Sequence, residues 1–257
     1  MDIPFKFIIL TFSLLFLILV ANAQLPKSVD YFASIKNNDL SKLWRDDSIF
    51  IEGGPEKIKF PEPLGYIGDN YQRFYIHYTT VTKSQDNPYQ YNVVGKTKVK
   101  DNICIFKGVI TIKKARLYIK RQDLRFKQGA VSCEFLFYED RTKSSSGIIK
   151  GVLTTEFYLD KKGKIHYDAL MFGADGFSNN ACQATWNSYK TGKSKKCSWG
   201  DFRIPESGDF DIGAGEFSVA DCYVKSGWKN YTLAWNNLLD GPEVIKARQK
   251  ENEKWWK

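Results

Sequence analysis

The feature that most constrains the fold is a series of eight long segments in which apolar and polar side chains alternate. In the second segment, Tyr91 and Val93 share the side opposite Lys96. A period of two residues is typical of a β-strand in a sheet with one buried and one solvated face. The segments span residues 71–82, 91–100, 103–112, 130–139, 148–159, 165–172, 182–189 and 196–203.

The links between these segments suit a meander of antiparallel strands. The sequence Asp-Lys-Lys-Gly at 160–163 stands between the fifth and sixth segments and is a strong hairpin signal. A series of antiparallel strands can hide its exposed edges by closing on itself. The sequence therefore predicts a mainly β protein built on an antiparallel up-and-down eight-stranded barrel. A two-sheet sandwich is the alternative architecture.

The first residues have the layout of an export signal. Lys6 precedes an apolar run over 7–20, and small residues lead to a cleavage site after Ala23. The alternative is a membrane anchor, but the run is shorter than the roughly 20 residues that span a bilayer. We therefore expect residues 1–23 to be a signal peptide and the protein to be secreted or periplasmic after cleavage near Ala23.

The rest of the chain divides into three regions. Residues 24–66 form an N-terminal appendage with short helices and short strands, and residues 67–205 form the barrel domain. Residues 206–257 form an irregular segment followed by a C-terminal helix, for which Asp240 is the expected cap and Pro242 lies in the first turn.

The composition allows a sizeable core and adds a strong positive charge. Of the 257 residues, 43% are hydrophobic, and the formal net charge is +9. Such a charge attracts anionic glycans, phospholipid head groups or nucleic acid, although it also serves solubility alone. We expect a small amphiphilic ligand, or an anionic glycan or membrane surface, as the partner, and no specific nucleic-acid target.

The five cysteines and two histidines do not form a metal-binding pattern. No C-x-x-C pair is present, so we expect neither a zinc site nor another metal or cofactor. Cys104 and Cys133 fall on the predicted core faces of two strands. They either form one disulfide or remain buried thiols.

An eight-stranded barrel either fills its interior with side chains or holds one small ligand there. The leading functional prediction is therefore a secreted β-barrel binding protein for a small apolar or amphiphilic ligand. The candidate ligand-binding residues are the aromatic side chains Phe106, Phe157, Tyr167 and Trp186.

A secreted glycan or lipid hydrolase is an alternative, although the chain lacks the common nucleophile, phosphate-loop and dinucleotide motifs. Paired carboxylates can act as acid and base in glycoside cleavage. The acidic stretch at residues 209–216 also resembles the start of a calcium loop, but Ala214 and Ala220 occupy positions where that loop needs Gly and Glu. A tight bulged connection explains the same residues without a site. The catalytic candidates are Asp209, Asp211, Glu216, His166 and Asp168.

A surface that binds polyanions is the other alternative. In an up-and-down meander, the loops near 83–90, 113–129, 160–164 and 190–196 meet at one end, where they form a basic rim. If residues 115–120 form a strand of their own, the loops that follow them change ends of the barrel, and the basic loops no longer meet at one end. The candidate polyanion-binding residues are Lys113, Lys114, Arg116, Lys161, Lys162, Lys193, Lys195 and Lys196.

The last third of the chain resembles a known group of sequences. The resemblance is carried by WNSYK at 186–190, CSWGDFRIP at 197–205 and SGDFDIGAGEF at 207–217. These stretches resemble uncharacterised secreted bacterial proteins of lipocalin-like β-barrel architecture. The resemblance implies a lipocalin-like barrel and no particular activity. The early G-x-W signature of true lipocalins has no counterpart in the first long segment.

Overall fold

The computed structural model describes residues 26–235 and 241–257. The predicted export signal at 1–23 and the predicted cap Asp240 lie outside these residues. Strands make up 44% and helices 15%, which confirms the prediction of a mainly β protein. No helix in the described part of the chain is long and apolar enough to cross a membrane.

The described residues form thirteen strands and three α-helices. The strands are β1 Ser28–Asp30, β2 Ser48–Phe50, β3 Lys57–Lys59, β4 Leu64–Ile67, β5 Gln72–Arg73, β6 Tyr75–Lys83, β7 Gln90–Val99, β8 Asn102–Tyr118, β9 Lys127–Glu139, β10 Gly147–Leu159, β11 Ile165–Tyr167, β12 Asn179–Ser188 and β13 Ser194–Asp201. The α-helices are α1 Phe32–Ile35, α2 Lys229–Trp235 and α3 Pro242–Glu251. Short 3₁₀ helices span Ser41–Leu43, Gly208–Phe210 and Asp221–Ser226.

Most strands form one curled antiparallel sheet that resembles half of a barrel. Its order is β5-β4-β13-β12-β10-β9-β8-β7-β6, with β1 attached to β8 and β11 to β10. The end strands β5 and β6 are separated in the chain by Phe74 alone. The predicted closed barrel of eight strands is wrong, because the hydrogen-bonded path is open and contains nine strands. The alternative sandwich is not formed either, because the second sheet consists of β2 and β3 alone.

One reason for the difference lies in the predicted sixth strand at 165–172. In this segment, only Ile165–Tyr167 forms a strand, β11, which pairs with the last residues of β10. β12 pairs with the first residues of β10 along the same edge of that strand. Asp168 turns the chain out of the sheet, because its Oδ1 atom accepts a hydrogen bond from the backbone N–H of Leu170 at 3.0 Å. β11 and β12 therefore run in the same direction along one edge of β10.

A second reason is that the predicted N-terminal appendage supplies strands to the main sheet. β4 pairs with β13 on one side and with β5 on the other, and β1 pairs with the last residues of β8. Pro61 and Pro63 precede β4 and leave its hydrogen bonds intact. The predicted border of the barrel domain, between residues 66 and 67, therefore falls inside β4.

The short elements of the N-terminal region largely follow the sequence signals. The predicted pair of short strands is formed by β2 and β3. The sequence predicts a first short helix capped by Ser28, but Ser28 lies in β1 and α1 begins at Phe32, whose backbone N–H donates a hydrogen bond to Asp30 Oδ1 at 3.0 Å. The second is the 3₁₀ helix at Ser41–Leu43, where Asp39 accepts the Ser41 N–H at 2.9 Å, as expected of a cap.

The concave side of the main sheet is filled by aromatic side chains. Phe106 and Phe137 are fully buried, and their ring centroids lie 4.8 Å apart. Tyr78 packs edge-on against both rings. Gly95 lies opposite Phe106, and a Cβ atom there would come within 2.5 Å of the Phe106 ring. Glycine is therefore required at this position for the ring to fill the interior.

The chain after β13 forms a second, smaller core that includes Phe210, Phe217 and Trp228. The predicted C-terminal helix is confirmed as α3. Its polar sequence predicts a solvated or lightly docked helix, but it is held by an ion pair in which Arg73 Nη2 and Glu251 Oε2 lie 3.3 Å apart. These two side chains are 5% and 8% exposed, so the contact belongs to the interior.

All five cysteines are free thiols, and four of them are buried. The sheet register excludes a Cys104–Cys133 disulfide. Cys133 lies opposite Ile112, and Cys104 lies eight residues before Ile112 on β8, about 27 Å along the strand. A disulfide needs Cα atoms within about 7 Å. Cys104 and Cys133 are therefore buried thiols, the second of the two predicted outcomes.

Candidate functional site

A cavity of about 520 Å³ opens at one end of the curled sheet, and we call it the mouth cavity. It lies beside the connections between β7 and β8, between β9 and β10, and between β12 and β13, which share this end of the sheet. Clefts at the mouths of curled or closed sheets are common ligand sites. The residues that matter most for its chemistry are Ile67, Phe74, Lys100, Glu139, Trp186 and Lys195.

Trp186 on β12 and Glu139 on β9 form the fixed part of this cavity. The indole Nε1–H of Trp186 donates a hydrogen bond to Glu139 Oε2 at 2.9 Å, and the backbone N–H of Gly147 donates to the same oxygen at 2.8 Å. The hydroxyl of Thr97 donates to Glu139 Oε1. The carboxylate therefore links β7, β9, β10 and β12 and fixes the orientation of the indole ring.

The electrostatics of the mouth cavity combine a buried acid with exposed lysines. Burial raises the pKa of Glu139, and the three hydrogen bonds to its carboxyl group oppose that increase. Lys195 Nζ lies 6.0 Å from the centroid of the Trp186 ring, within cation–π range. Lys100 and Lys195 are both exposed at the rim of the cavity. The site thus offers an aromatic wall below two cationic groups.

The other predicted ligand-binding residues do not join Trp186 in the mouth cavity. Phe106 and Phe157 are fully buried in the main core, where Phe157 packs against Tyr31 at a centroid distance of 6.2 Å. Tyr167 is buried as well, and its hydroxyl donates to Asp201 Oδ2 at 2.9 Å. These three side chains fill the interior of the sheet, while Trp186 alone of the four lines the mouth cavity.

The acidic stretch at 209–216 has structural partners in the described chain. Arg203 Nη2 lies 2.6 Å from Asp211 Oδ2, and Asp211 Oδ1 accepts the backbone N–H groups of Gly213 and Ser218. Tyr223 donates its hydroxyl to Asp209 Oδ2 at 2.9 Å. Glu216 is exposed. The first two carboxylates hold a bulged connection together, as the structural interpretation of the sequence expects.

His166 and Asp168 separate in the structure. His166 Nε2 lies 3.0 Å from Asp160 Oδ2 in the turn after β10, and this hydrogen bond holds the pKa of Asp160 below its usual range. Asp168 is buried instead and accepts a hydrogen bond from Gln128 Nε2 at 2.8 Å. The alternation of this segment predicts that both side chains are exposed, but His166 is partly buried, with 18% of its side chain exposed, and Asp168 is buried.

Asp168 faces a second cleft, of about 450 Å³, on the outer side of the sheet; we call it the outer cleft. The backbone N–H of Asp168 donates to the carbonyl oxygen of Glu156 at 3.2 Å, so the two carboxylates are cross-strand neighbours. Burial raises the pKa of both groups, and the charge of Asp168 raises that of Glu156 further. The hydroxyl of Tyr118 donates to Glu156 Oε2 at 2.6 Å.

The predicted polyanion-binding residues do not form one rim. Lys161 and Lys162 lie in the turn after β10, at the end of the sheet opposite the mouth cavity. Because β12 runs in the same direction as β11, the connection after β12 and the start of β13 lie at the mouth end, together with Lys193, Lys195 and Lys196. Lys113, Lys114 and Arg116 lie within β8, where Lys113 pairs with Glu134 at 3.1 Å.

Glu139 in the mouth cavity and Glu156 in the outer cleft were not identified from the sequence as site residues. Glu139 continues the inward series Cys133, Phe135 and Phe137, and an acid in an apolar series is the signal that could have revealed it. Glu156 carries no such signal, because its partner Tyr118 is 38 residues away and joins it through sheet pairing.

The described residues contain no group of three or more His, Cys, Asp or Glu side chains that could hold a metal ion. Comparison of the chain with protein-family models, with curated proteins and with solved structures finds no match.

Proposed function

We propose that this protein is a secreted binding protein for a small amphiphilic ligand, which it holds in the mouth cavity. The observation that carries the proposal is the fixed Trp186 ring in a concave site with lysines at its rim. Secretion rests on the export signal predicted at residues 1–23. The filled core supports a ligand at the end of the sheet in preference to one at its centre.

The chemistry of the mouth cavity favours a ligand with an anionic head and an apolar body. The body would pack against the partly exposed Trp186 ring, and the head would lie near Lys100 and Lys195. Glu139 is already hydrogen-bonded to three donors, so its role is to orient Trp186 and not to bind the ligand head.

The test is a titration with anilinonaphthalene sulfonate, an anionic amphiphile whose fluorescence rises in apolar sites. We expect saturable binding by the wild-type protein and roughly tenfold weaker binding by Trp186→Ala, because about 1.5 kcal/mol or more of aromatic burial is lost. Lys195→Glu, at an exposed position, should weaken binding without affecting the core.

Two matched variants serve as controls. Trp235→Ala removes a half-exposed tryptophan of α2, and Lys161→Glu reverses a charge at the opposite end of the sheet. Both should bind the probe like the wild type. Equal affinity in the Trp186→Ala and Trp235→Ala proteins would refute the proposed site.

The outer cleft supports a second candidate function, a glycan or lipid hydrolase. The specific observation is the cross-strand pair of the partly buried Glu156 and the buried Asp168, because two carboxyl groups with raised pKa values can exchange a proton with a substrate. Wild-type activity on nitrophenyl glycosides or esters should be lost in Glu156→Gln and in Asp168→Asn, and retained in the exposed control Glu134→Gln. Activity that survives both cleft substitutions would eliminate this candidate.

A further inference from the structure

The outer side of the main sheet carries an uncovered face at the mouth end of β8, β9 and β10. We define the lysine–apolar face by six exposed side chains that share this side of the sheet: Ile103, Ile105, Lys107, Tyr138, Lys150 and Val152. Ile105, Tyr138 and Val152 are 48%, 47% and 51% exposed, so no described part of the chain covers them.

The sheet register places these side chains next to each other. Lys107 lies opposite Tyr138, and Lys150 lies opposite Leu136, two residues before Tyr138 on the same side of β9. Cross-strand neighbours of this kind have Cβ atoms about 5 Å apart. Lysines and apolar groups therefore alternate over one continuous surface.

The two lysines of this face have no carboxylate partner in the described part of the chain. Within residues 26–235 and 241–257, neither Lys107 nor Lys150 takes part in an ion pair. Glu134, beside Val152 on the neighbouring strand, is paired with Lys113. A second copy of this face would bring lysine against lysine, so the charge pattern disfavours self-association through it.

We infer that the lysine–apolar face docks on the surface of an anionic phospholipid bilayer. Unpaired lysines are attracted to anionic head groups, and their flexible stems can extend along apolar neighbours. Exposed Ile and Tyr side chains can enter the interfacial region, where Tyr is favoured because one end of its side chain is apolar and the other polar. A soluble polyanion would use the lysines but would gain little from Ile105 and Tyr138.

The inference differs from the basic rim considered from the sequence, because it uses strand residues on the outer side of the sheet. It is also independent of the proposed ligand site, which lies on the inner side. Binding of anilinonaphthalene sulfonate in the mouth cavity should therefore persist in the face variants described below.

The experiment is co-sedimentation of the mature protein with vesicles. We expect binding to mixed phosphatidylcholine–phosphatidylglycerol vesicles at low salt, and weak binding to phosphatidylcholine alone. Lys107→Glu/Lys150→Glu should reduce the partition coefficient roughly thirtyfold or more, given about 1 kcal/mol for each lysine near such a surface. Ile105→Ser/Tyr138→Ser should reduce it as well, because the apolar insertion is lost.

The matched control is Lys161→Glu/Lys162→Glu, which makes the same change in net charge at the other end of the sheet. It should retain most of the binding. Equal losses in the two charge-reversal variants would overturn the inference in favour of a general effect of net charge. Unchanged binding in Ile105→Ser/Tyr138→Ser would overturn it in favour of a surface for soluble polyanions. All four positions of the face variants are exposed, and circular dichroism would confirm that the variants are folded.

Discussion

Replacement of Phe106 by alanine distinguishes a filled sheet interior from a hollow one. The Phe106 side chain has no exposed surface and stacks on Phe137 with ring centroids 4.8 Å apart. The cross-strand partner of Phe106 on β7 is Gly95, which has no side chain to move into the vacated space. The substitution should therefore leave a cavity that the surrounding residues cannot refill.

The expected cost follows from these contacts. Loss of a fully buried aromatic side chain removes up to about 3 kcal/mol of transfer free energy. The stacked pair with Phe137 adds about 1 kcal/mol. The total of about 4 kcal/mol lies within the range of 3–5 kcal/mol that is typical of Phe→Ala in well-packed cores.

The assay is urea unfolding at equilibrium, followed by tryptophan fluorescence, with the free energy of unfolding extrapolated to water. The control is Tyr138→Ala, at a half-exposed position that faces outwards beside Phe137, and it should change the free energy by about 0.5 kcal/mol or less. Binding of the fluorescent probe in the mouth cavity should be the same in Phe106→Ala as in the wild type. A loss below about 1 kcal/mol together with weaker probe binding would refute the filled interior.

Three further predictions concern buried groups. Burial raises the pKa of Asp201 to about 7 from 3.8, so the native state keeps a proton that the unfolded chain releases. The free energy of unfolding should therefore fall as the pH rises from about 4 to 7. Asp201→Asn should remove this pH dependence of the free energy, as measured by urea titrations at several pH values. Native protein should react with one equivalent of a maleimide, at the exposed Cys222, and urea-unfolded protein with five, because every cysteine is a free thiol; a mass measurement that shows fewer than five labels without reductant would contradict this. Arg73→Met should cost about 3–5 kcal/mol in the same urea assay because it leaves Glu251 buried without its partner, and Arg73→Met/Glu251→Leu should recover much of that loss.

The strands could be predicted because their alternation is local. In β9, the inward series Cys133, Phe135 and Phe137 is visible in the sequence and is buried in the structure. The number of strands and their closure could not be predicted in the same way. They depend on Asp168, whose side chain turns the chain out of the sheet, and on β4, which finds its partner β13 about 130 residues later. Neither event leaves a periodic signal.

The candidate site was predictable in part for the same reason. Trp186 could be selected as an aromatic residue in a strand, and the structure places it in the mouth cavity. Its function as a fixed wall depends on Glu139, 47 residues earlier, and on Gly147, which meet only when β9, β10 and β12 pair. Sequence patterns show which way a side chain points, but not which distant side chain it contacts.

The two proposed surfaces arise from the same alternation. Tyr138 and Glu139 are consecutive in β9, so one side chain points to the outer face and the other into the mouth cavity. At the start of β8, Asn102 likewise lines the mouth cavity, and the next residue, Ile103, is exposed on the outer face. If both proposals hold, a bilayer bound at the lysine–apolar face lies one sheet thickness from the ligand. Because neighbouring residues face opposite sides, Tyr138→Ser should weaken vesicle binding alone, and Glu139→Gln should weaken binding of the amphiphile alone.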